Sequence, residues 1–254
     1  MEIYYSIVAF IFGIVLGSFY NVVGYRLPRN QSLIKPASHC TNCNHRLGAS
    51  ELVPIFSYIF QGGKCKNCKA KISPFYMTFE LLTGILFMLS YIVFGPTIDF
   101  IISIIFVSMA IIIIISDYQT MIIPDEVLIF SGILIFICQF IDGGLNLIVN
   151  SLINGMISFI IMLLIKLFGD YLFKKESMGG GDIKLMFIFG MIFGWKMAII
   201  SIFLASFIAL PISLILYFKN KGNIIPFGPF LCISGLIILL DKIDFTFIVN
   251  LLTK

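Results

Sequence analysis

The chain has 254 residues, of which 59% are hydrophobic and only 12% are charged, and its formal net charge is +4. A soluble domain has about half apolar residues and about a quarter charged ones. The composition therefore excludes a soluble globular protein. Repeated apolar runs of about 17 to 25 residues have the length that a helix needs to cross a bilayer, and they predict an all-α polytopic membrane protein.

About eight transmembrane helices are predicted from these runs. In chain order they cover 3–25, 76–94, 98–116, 127–141, 147–168, 183–195, 197–218 and 228–250. The sixth run is short, at about 18 Å of helix. The eighth is interrupted by Asp241, Lys242 and Asp244. Seven or nine crossings are therefore alternatives.

Basic residues predict that the N-terminus lies outside. Arg26 and Arg29 follow the first apolar run, whereas a cleaved signal peptide has its basic residues in front. We therefore expect the first helix to remain as an anchor. The predicted cytoplasmic segments are 26–75, 117–126, 169–182 and 219–227. They hold most of the lysines and arginines, and the outside turns hold only Lys196.

Three parts are predicted: a first transmembrane helix (1–25), a cytoplasmic loop domain (26–75) and a multi-helix membrane part (76–254). The loop domain is too small to bury a large core and needs a crosslink such as a metal site to stabilise it. "CTNC" and "CKNC" supply it with the spacing of a structural zinc site, through Cys40, Cys43, Cys65 and Cys68. Two disulfides or four incidental thiols are the alternatives, and a reducing cytoplasm disfavours disulfides.

Two aspartates are candidates for catalysis. Asp117 follows an apolar run at the cytoplasmic end of the third predicted helix, and Asp182 follows Gly179, Gly180 and Gly181. Two carboxyls at one site can split hydrolysis between a base and an acid. The helix dipoles favour Asp182 as the base and Asp117 as the acid. Alternatively, Asp182 caps a helix and Asp117 is an ordinary interfacial acid.

Several stretches, in this order, resemble the type IV prepilin peptidases, the leader peptidases of type IV pilus, type II secretion and competence systems. The stretches are "GSFYNVVGYRLP" (17–28), "CTNC", "CKNC", "FELLTG" (79–84), "DYQTMIIPD" (117–125), "GGGDIKL" (179–185) and "PFGPFL" (226–231). Together they cover nearly the whole chain. The resemblance implies an intramembrane aspartic protease.

The family's catalytic pair maps onto Asp117 and Asp182. Asp125 stands where the family often has Asn, so we do not assign it to catalysis. The supporting residues are expected to be Gly179, Gly181, Lys184, Asp125 and Glu80. The three glycines before Asp182 would let it move toward Asp117.

Many members of the family also methylate the new N-terminus with S-adenosylmethionine, and the four-cysteine loop accompanies that activity. The resemblance therefore implies a bifunctional enzyme, although no nucleotide fingerprint marks the cofactor-binding residues. Glu80 is a candidate for methyl transfer or for a buried hydrogen bond. Arg26 and Lys184 either hold an acidic group of the substrate or anchor a helix end.

The expected partners are prepilins or pseudopilins with a short, positively charged leader, cut after Gly and usually before Phe, together with the lipid bilayer. No nucleic-acid partner is expected. The expected location is the cytoplasmic membrane of a bacterium, with the active site at the cytoplasmic face. The alternative functions are an ion- or proton-coupled transporter and a zinc-stapled scaffold without catalysis.

Overall fold

A computed structural model describes residues 2–218, 225–243 and 245–246. Within these ranges the chain is helical, and its only β-pairing is two isolated bridges. The helices are α1 (Glu2–Arg26), α2 (Phe56–Phe60), α3 (Pro74–Phe94), α4 (Ile98–Thr120), α5 (Asp125–Phe173), α6 (Gly180–Phe193), α7 (Trp195–Phe218) and α8 (Gly228–Leu240). Short 3-10 turns cover Leu27–Arg29 and Ala49–Glu51. The predicted all-α class is confirmed.

Five described helices are long and apolar enough to cross a membrane. They are Glu2–Arg29, Pro74–Phe94, Ile98–Thr120, Asp125–Phe173 and Trp195–Leu216. The helices α6 and α8 are shorter, with 14 and 13 residues. The number of crossings therefore stays a prediction.

The chain divides into two compact units, Met1–Phe100 and Ile101–Lys254. In the first unit, α1 and α3 pack through a seam of glycines. A Cβ atom at Gly13 would lie 2.8 Å from the Cα atom of Gly84, and one at Gly17 would lie 3.0 Å from the Cα atom of Glu80. Small residues let helix backbones approach this closely in a membrane. The seam therefore fixes the register of the two helices.

In the second unit, α5 consists of two helices that meet at a kink at Gly144, where φ is 63° and ψ is −156°. The two predicted helices 127–141 and 147–168 are the two arms of α5. Gln139 lies before the break and Ser151 lies after it. Both donate a hydrogen bond to the carbonyl of Met191, over 2.9 and 2.8 Å. These bonds satisfy the Met191 carbonyl near the end of α6, where carbonyls lack partners within the helix.

The short helix α6 is buried over most of its length and starts earlier than predicted, at Gly180 instead of residue 183. It packs closely on α5, because a Cβ atom at Gly190 would lie 2.5 Å from the carbonyl oxygen of Asn154. Gly194 alone separates α6 from α7, so Trp195, predicted at the end of the sixth helix, and Lys196, predicted in a turn, belong to α7.

The predicted eighth helix, 228–250, is wrong at its end. The described helix stops at Leu240, and Lys242 adopts a left-handed φ of 49°. Charged Asp241 and Lys242 interrupt the apolar run, and a left-handed residue does not continue an α-helix. Residues 247–250 of the prediction lie outside the described residues, as do 219–224 of the predicted cytoplasmic segment 219–227.

Candidate active site

Asp117 lies in the last turn of α4, and only 6% of its surface is exposed. Its side chain accepts a hydrogen bond from the backbone N–H of Gly228, the first residue of α8. The loop that follows α4 is held in place because the hydroxyl of Ser116 donates to the carbonyl of Ile122. Asp117 is thus fixed by a helix end, a loop and the start of α8.

Asp182 lies in the first turn of α6 and is 7% exposed. Its side chain accepts a hydrogen bond from the backbone N–H of Gly179, the residue just before the helix. This contact serves one of the unpaired N–H groups of the helix start. The Oδ1 atom of Asp182 is buried and has no hydrogen-bond partner among the described residues. This oxygen is therefore an acceptor that no described group satisfies.

The structure brings Asp117 and Asp182 together, close enough for their charges to interact. Ile123 packs beside them, against the starts of both α6 and α8. A Cβ atom at Gly181 would lie 2.7 Å from the Cβ atom of Ile123, and one at Gly228 would lie 2.7 Å from Oδ2 of Asp117. Both glycines are needed because a side chain there would collide with the site.

Glycine flexibility is not required to bring the pair together in this conformation. Gly180 and Gly181 are helical, and neither has a positive φ. Gly181 is explained by its close contact with Ile123, and Gly180 faces open space. The movement of Asp182 and the division of base and acid between the two aspartates stay predictions.

Asp125 and Lys184 form an ion pair outside the aspartate pair. The Nζ atom of Lys184 lies 2.7 and 2.6 Å from the two carboxylate oxygens of Asp125, and both side chains are about half exposed, at 52% and 53%. Asp125 starts α5 and Lys184 lies in α6. The pair therefore ties these two helices beside Asp182 and anchors Lys184 at the surface.

The predicted cysteine cluster forms in the loop between α1 and α3. The four Sγ atoms of Cys40, Cys43, Cys65 and Cys68 lie within 4.8 Å of one another, and all four are free thiols. Two of the sulfur–sulfur distances are 3.8 and 3.9 Å. A tetrahedral ion with metal–sulfur bonds of about 2.3 Å separates its ligands by about 3.8 Å. The cluster can therefore hold a metal ion.

The two cysteine turns have the same backbone pattern. The carbonyl of Cys40 accepts the N–H of Asn44, and the N–H of Cys40 donates to the carbonyl of His45; Cys65 makes the equivalent bonds to Lys69 and Ala70. Their fifth residues, Asn44 and Lys69, are both left-handed, with φ of 56° and 58°. The loop thus contains a local repeat that sequence reasoning did not detect.

Each turn also donates an amide to a thiol of the other turn. Asn42 lies 3.6 Å from the sulfur of Cys68, and Asn67 lies 3.8 Å from that of Cys43. The backbone N–H of Ala70 and the amide of Asn42 lower the pKa of Cys68 to about 6. The thiolate is the form that binds metals, so Cys68 is prepared for coordination at neutral pH.

Two family models match the chain. Residues 11–94 match the Bacterial Peptidase A24 N-terminal domain, and residues 104–214 match the Type IV leader peptidase family. A relative from Bacillus subtilis (strain 168) is 36% identical over 190 residues, which cover 75% of this chain and 74% of the relative. It is named prepilin leader peptidase/N-methyltransferase. This chain belongs to the type IV leader peptidase family.

Other relatives carry the same printed name. One from Neisseria gonorrhoeae is 31% identical and covers 91% of this chain and 88% of its own length. One from Aeromonas hydrophila is 29% identical over 98% of this chain and 96% of its own length. No solved structure gives a significant match. The family resemblance of the sequence motifs is thus confirmed.

Each family model falls inside one compact unit of this leader peptidase family member. The N-terminal model lies within Met1–Phe100 with the cysteines and Glu80, and the peptidase model lies within Ile101–Lys254 with both aspartates. Glu80 accepts a hydrogen bond of 2.8 Å from the N–H of Ile55 and another from Ser18. The buried hydrogen bond, one of the two alternatives for Glu80, is therefore present.

Four residues that sequence reasoning left without a role lie at these two sites. The backbone N–H of Gly228 donates to Asp117. Cys232 is fully buried one turn later in α8 and lies close enough to both aspartates to interact electrostatically with them. Asn42 and Asn67 donate to the thiols. The matching "TN" and "KN" inside the two cysteine motifs were a usable signal for the asparagines, whereas nothing in the sequence marked Cys232.

Proposed function

We propose that this chain is a membrane-embedded aspartic endopeptidase that removes the leader from type IV prepilins or pseudopilins. After cleavage, it methylates the new N-terminal amine with S-adenosylmethionine. The observation that carries the proposal is the meeting of Asp117 and Asp182, buried, within the part of the chain that matches the Type IV leader peptidase family. The names of the relatives support both activities.

The two carboxyls perform hydrolysis together. One of them, ionised, takes a proton from a water molecule as the water oxygen attacks the scissile carbonyl carbon. The other, protonated, donates a hydrogen bond to the carbonyl oxygen as negative charge develops there. The carboxyl that took the proton from water then gives it to the leaving nitrogen as the C–N bond breaks, so the mature chain leaves as an amine and the leader ends in a carboxylic acid. The N–H groups of Gly179 and Gly228 hold the carboxyls in place through this sequence.

The placement in the membrane supports a cut at the cytoplasmic face. Lysines and arginines are concentrated in the predicted cytoplasmic segment 26–75 and recur at Lys174 and Lys175, shortly before Asp182, and such residues accumulate on the cytoplasmic side. We therefore place the N-terminus outside and both aspartates inside. In this arrangement residues 1–25 are the first anchor, 26–75 a cytoplasmic domain, and 76–254 the membrane peptidase.

Zinc is the metal that best suits the cysteine cluster, because four thiolates in tetrahedral geometry are its usual structural shell. Cys40, Cys43, Cys65 and Cys68 would hold it. Its role is to fix the loop 27–73, which has only the short helix α2 and two single turns of 3-10 helix. S-adenosylmethionine supplies the methyl group for the second activity.

The experiment is cleavage of a purified prepilin by the purified chain in detergent, followed by mass spectrometry. Wild type should release the leader, and Asp117→Ala and Asp182→Ala should not. Asp99→Asn is the matched control, because Asp99 is an exposed acid at the opposite end of α4. If wild type cleaves no prepilin, or either alanine variant still cleaves, the peptidase proposal fails. A transporter and a catalytically inert scaffold both predict no cleavage by wild type.

A further inference from the structure

A cavity of about 1060 Å³ opens in the N-terminal unit, between the α1–α3 seam and the loop 27–73. Pockets that bury a drug-sized ligand have volumes of about 300 to 1,000 Å³. The cavity can therefore hold a small molecule and still admit the end of a peptide. The aspartate pair belongs to the other compact unit.

Asn21 of α1 and Glu80 of α3, which are 5% and 8% exposed, line this cavity, and each side chain carries an oxygen acceptor. The side-chain amide of Asn21 donates to the carbonyls of Gly17 and Tyr76, over 3.2 and 3.1 Å. Its Oδ1 atom is buried and has no partner among the described residues. A buried acceptor without a donor costs about 1 to 3 kcal/mol, so a donor brought by a ligand would stabilise it.

The helix register places these acceptors one turn apart. Gly17 packs against the backbone of Glu80, and Asn21, four residues later, binds the carbonyl of Tyr76, four residues before Glu80. One helical turn is about 5.4 Å. An amine carries up to three N–H donors and can therefore bond to both side chains at once.

Cationic side chains line the same cavity. Arg26 binds the carbonyls of Ser32 and Leu33 through Nη1, and Lys35 and Lys71 are exposed. Guanidinium and ammonium groups are strong partners for a carboxylate. The cavity thus offers acceptors for a cation at the helix seam and donors for an anion elsewhere.

We propose that this cavity is the methyl-transfer site, and that Glu80 and Asn21 hold the N-terminal amine that receives the methyl group. This inference rests on the methyltransferase half of the proposed function. The arriving amine is an ammonium, so it must lose a proton before it can attack. Glu80 accepts that proton, and the cavity mouth lets it pass to water.

The methyl donor, when bound, supplies an electrophilic carbon on a sulfonium. The neutral amine forms the N–C bond as the S–CH₃ bond breaks, which leaves a neutral thioether and a methylated secondary ammonium. Charge and atoms balance, because the sulfonium charge moves to the nitrogen. The basic residues of the cavity bind the carboxylate of the donor's amino-acid end.

Glu80 also has a structural contact that the experiment must separate from this role. It accepts the N–H of Ile55, whose φ of 61° and ψ of −55° are unusual for a branched residue. That contact requires an acceptor oxygen but no charge. Glu80→Gln keeps an acceptor oxygen and removes the base. Glu2→Gln is the matched control, because Glu2 is an exposed acid at the start of α1.

The test uses the full chain in detergent and three separate readouts: leader cleavage, binding of S-adenosylhomocysteine by calorimetry, and methylation of a synthetic peptide that already has the mature N-terminus. Glu80→Gln should cleave and bind S-adenosylhomocysteine like wild type, but methylate about 100-fold more slowly. Raising the pH through about 8 should partly restore its methylation, since a free α-amine loses its proton there. A purely structural Glu80 would not produce this rescue.

Ser57→Trp provides a second variant, because Ser57 lines the cavity at α2 and the indole ring would occupy part of it. It should weaken binding of S-adenosylhomocysteine at least tenfold and leave cleavage intact. Methylation by Glu80→Gln within threefold of wild type, or unchanged binding in Ser57→Trp, overturns the cavity assignment. If wild type itself transfers no methyl group, the methyltransferase half of the proposed function falls and the assignment falls with it. Cleavage, measured separately, is unaffected by either result.

Discussion

Gly228→Ala should displace the carboxyl of Asp117 without unfolding the protein. An added Cβ atom would lie 2.7 Å from Oδ2 of Asp117, whereas ordinary contacts begin at 3.4 Å. The two atoms must therefore separate by about 0.7 Å. Moving the new Cβ atom instead of the carboxyl is restricted, because the Cδ1 atom of Ile123 lies only 3.1 Å from it. The same substitution strains the hydrogen bond from the Gly228 N–H to Asp117.

A misplacement of about 1 Å at a catalytic group costs about 100-fold in rate. We therefore expect kcat/KM for prepilin cleavage to fall by about 10- to 100-fold. Overpacking of this kind costs about 1 to 3 kcal/mol in stability. The assay is the initial rate of leader release by mass spectrometry, with thermal unfolding measured in parallel.

Gly180→Ala is the matched control for this prediction. A Cβ atom at Gly180 meets nothing within 4 Å, and Gly180 is helical. Alanine in a helix is more stable than glycine by about 0.5 to 1 kcal/mol, so this variant should retain cleavage. Equal losses in Gly180→Ala and Gly228→Ala would refute the steric reasoning and favour a requirement for glycine flexibility. Wild-type activity in Gly228→Ala would refute it as well.

Three further predictions concern the metal cluster, the helix packing and the surface ion pair. Asn42→Ala or Asn67→Ala should lower metal affinity by about 10- to 100-fold, because each removes a hydrogen bond to a cysteine that would bind the metal. Chelator competition measures this affinity, and an unchanged value would contradict the prediction. Lowering the pH should also release the metal, since thiolates must become thiols. Gly190→Ala should destabilise the protein by about 1 to 3 kcal/mol, because its Cβ atom would lie 2.5 Å from the carbonyl oxygen of Asn154; an unchanged melting temperature would refute that close packing. Lys184→Ala should change stability by at most about 1 kcal/mol, since the pair with Asp125 is half exposed, and a larger loss would mean that Lys184 has a further role.

Hydrophobic run lengths predicted the helices well, because a membrane helix must be both long and apolar. They failed where a single residue decides the boundary. Lys242 follows the end of α8 well before the apolar pattern of the sequence stops, whereas the kink at Gly144 falls in the predicted gap between 127–141 and 147–168. The early start of α6 was not predicted, because glycines are poor helix formers. In the structure, close packing on Ile123 requires Gly181.

The chemistry-bearing residues were predictable where spacing carries the signal. The spacing of the two cysteine pairs predicted their cluster. Position alone left Asp117 and Asp182 with structural alternatives, and the family resemblance paired them. Gly228 and Cys232 could not be predicted, because their place at the candidate site comes from the packing of α8 against Asp117, and a sequence does not state which helices meet. The cavity beside Asn21 and Glu80 likewise depends on the register of α1 and α3, which the glycine seam sets.

The most direct test of the central claim is a double-mutant cycle on kcat/KM for prepilin cleavage, using Asp117→Asn, Asp182→Asn and the double variant. Residues that act as one catalytic unit show strongly non-additive losses. We expect each single substitution to lower kcat/KM by about 1,000-fold or more. The kcat/KM of the double variant should be no lower than that of the less active single variant. Losses that multiply in the double variant, or a single variant within about tenfold of wild type, would contradict a paired-aspartate mechanism.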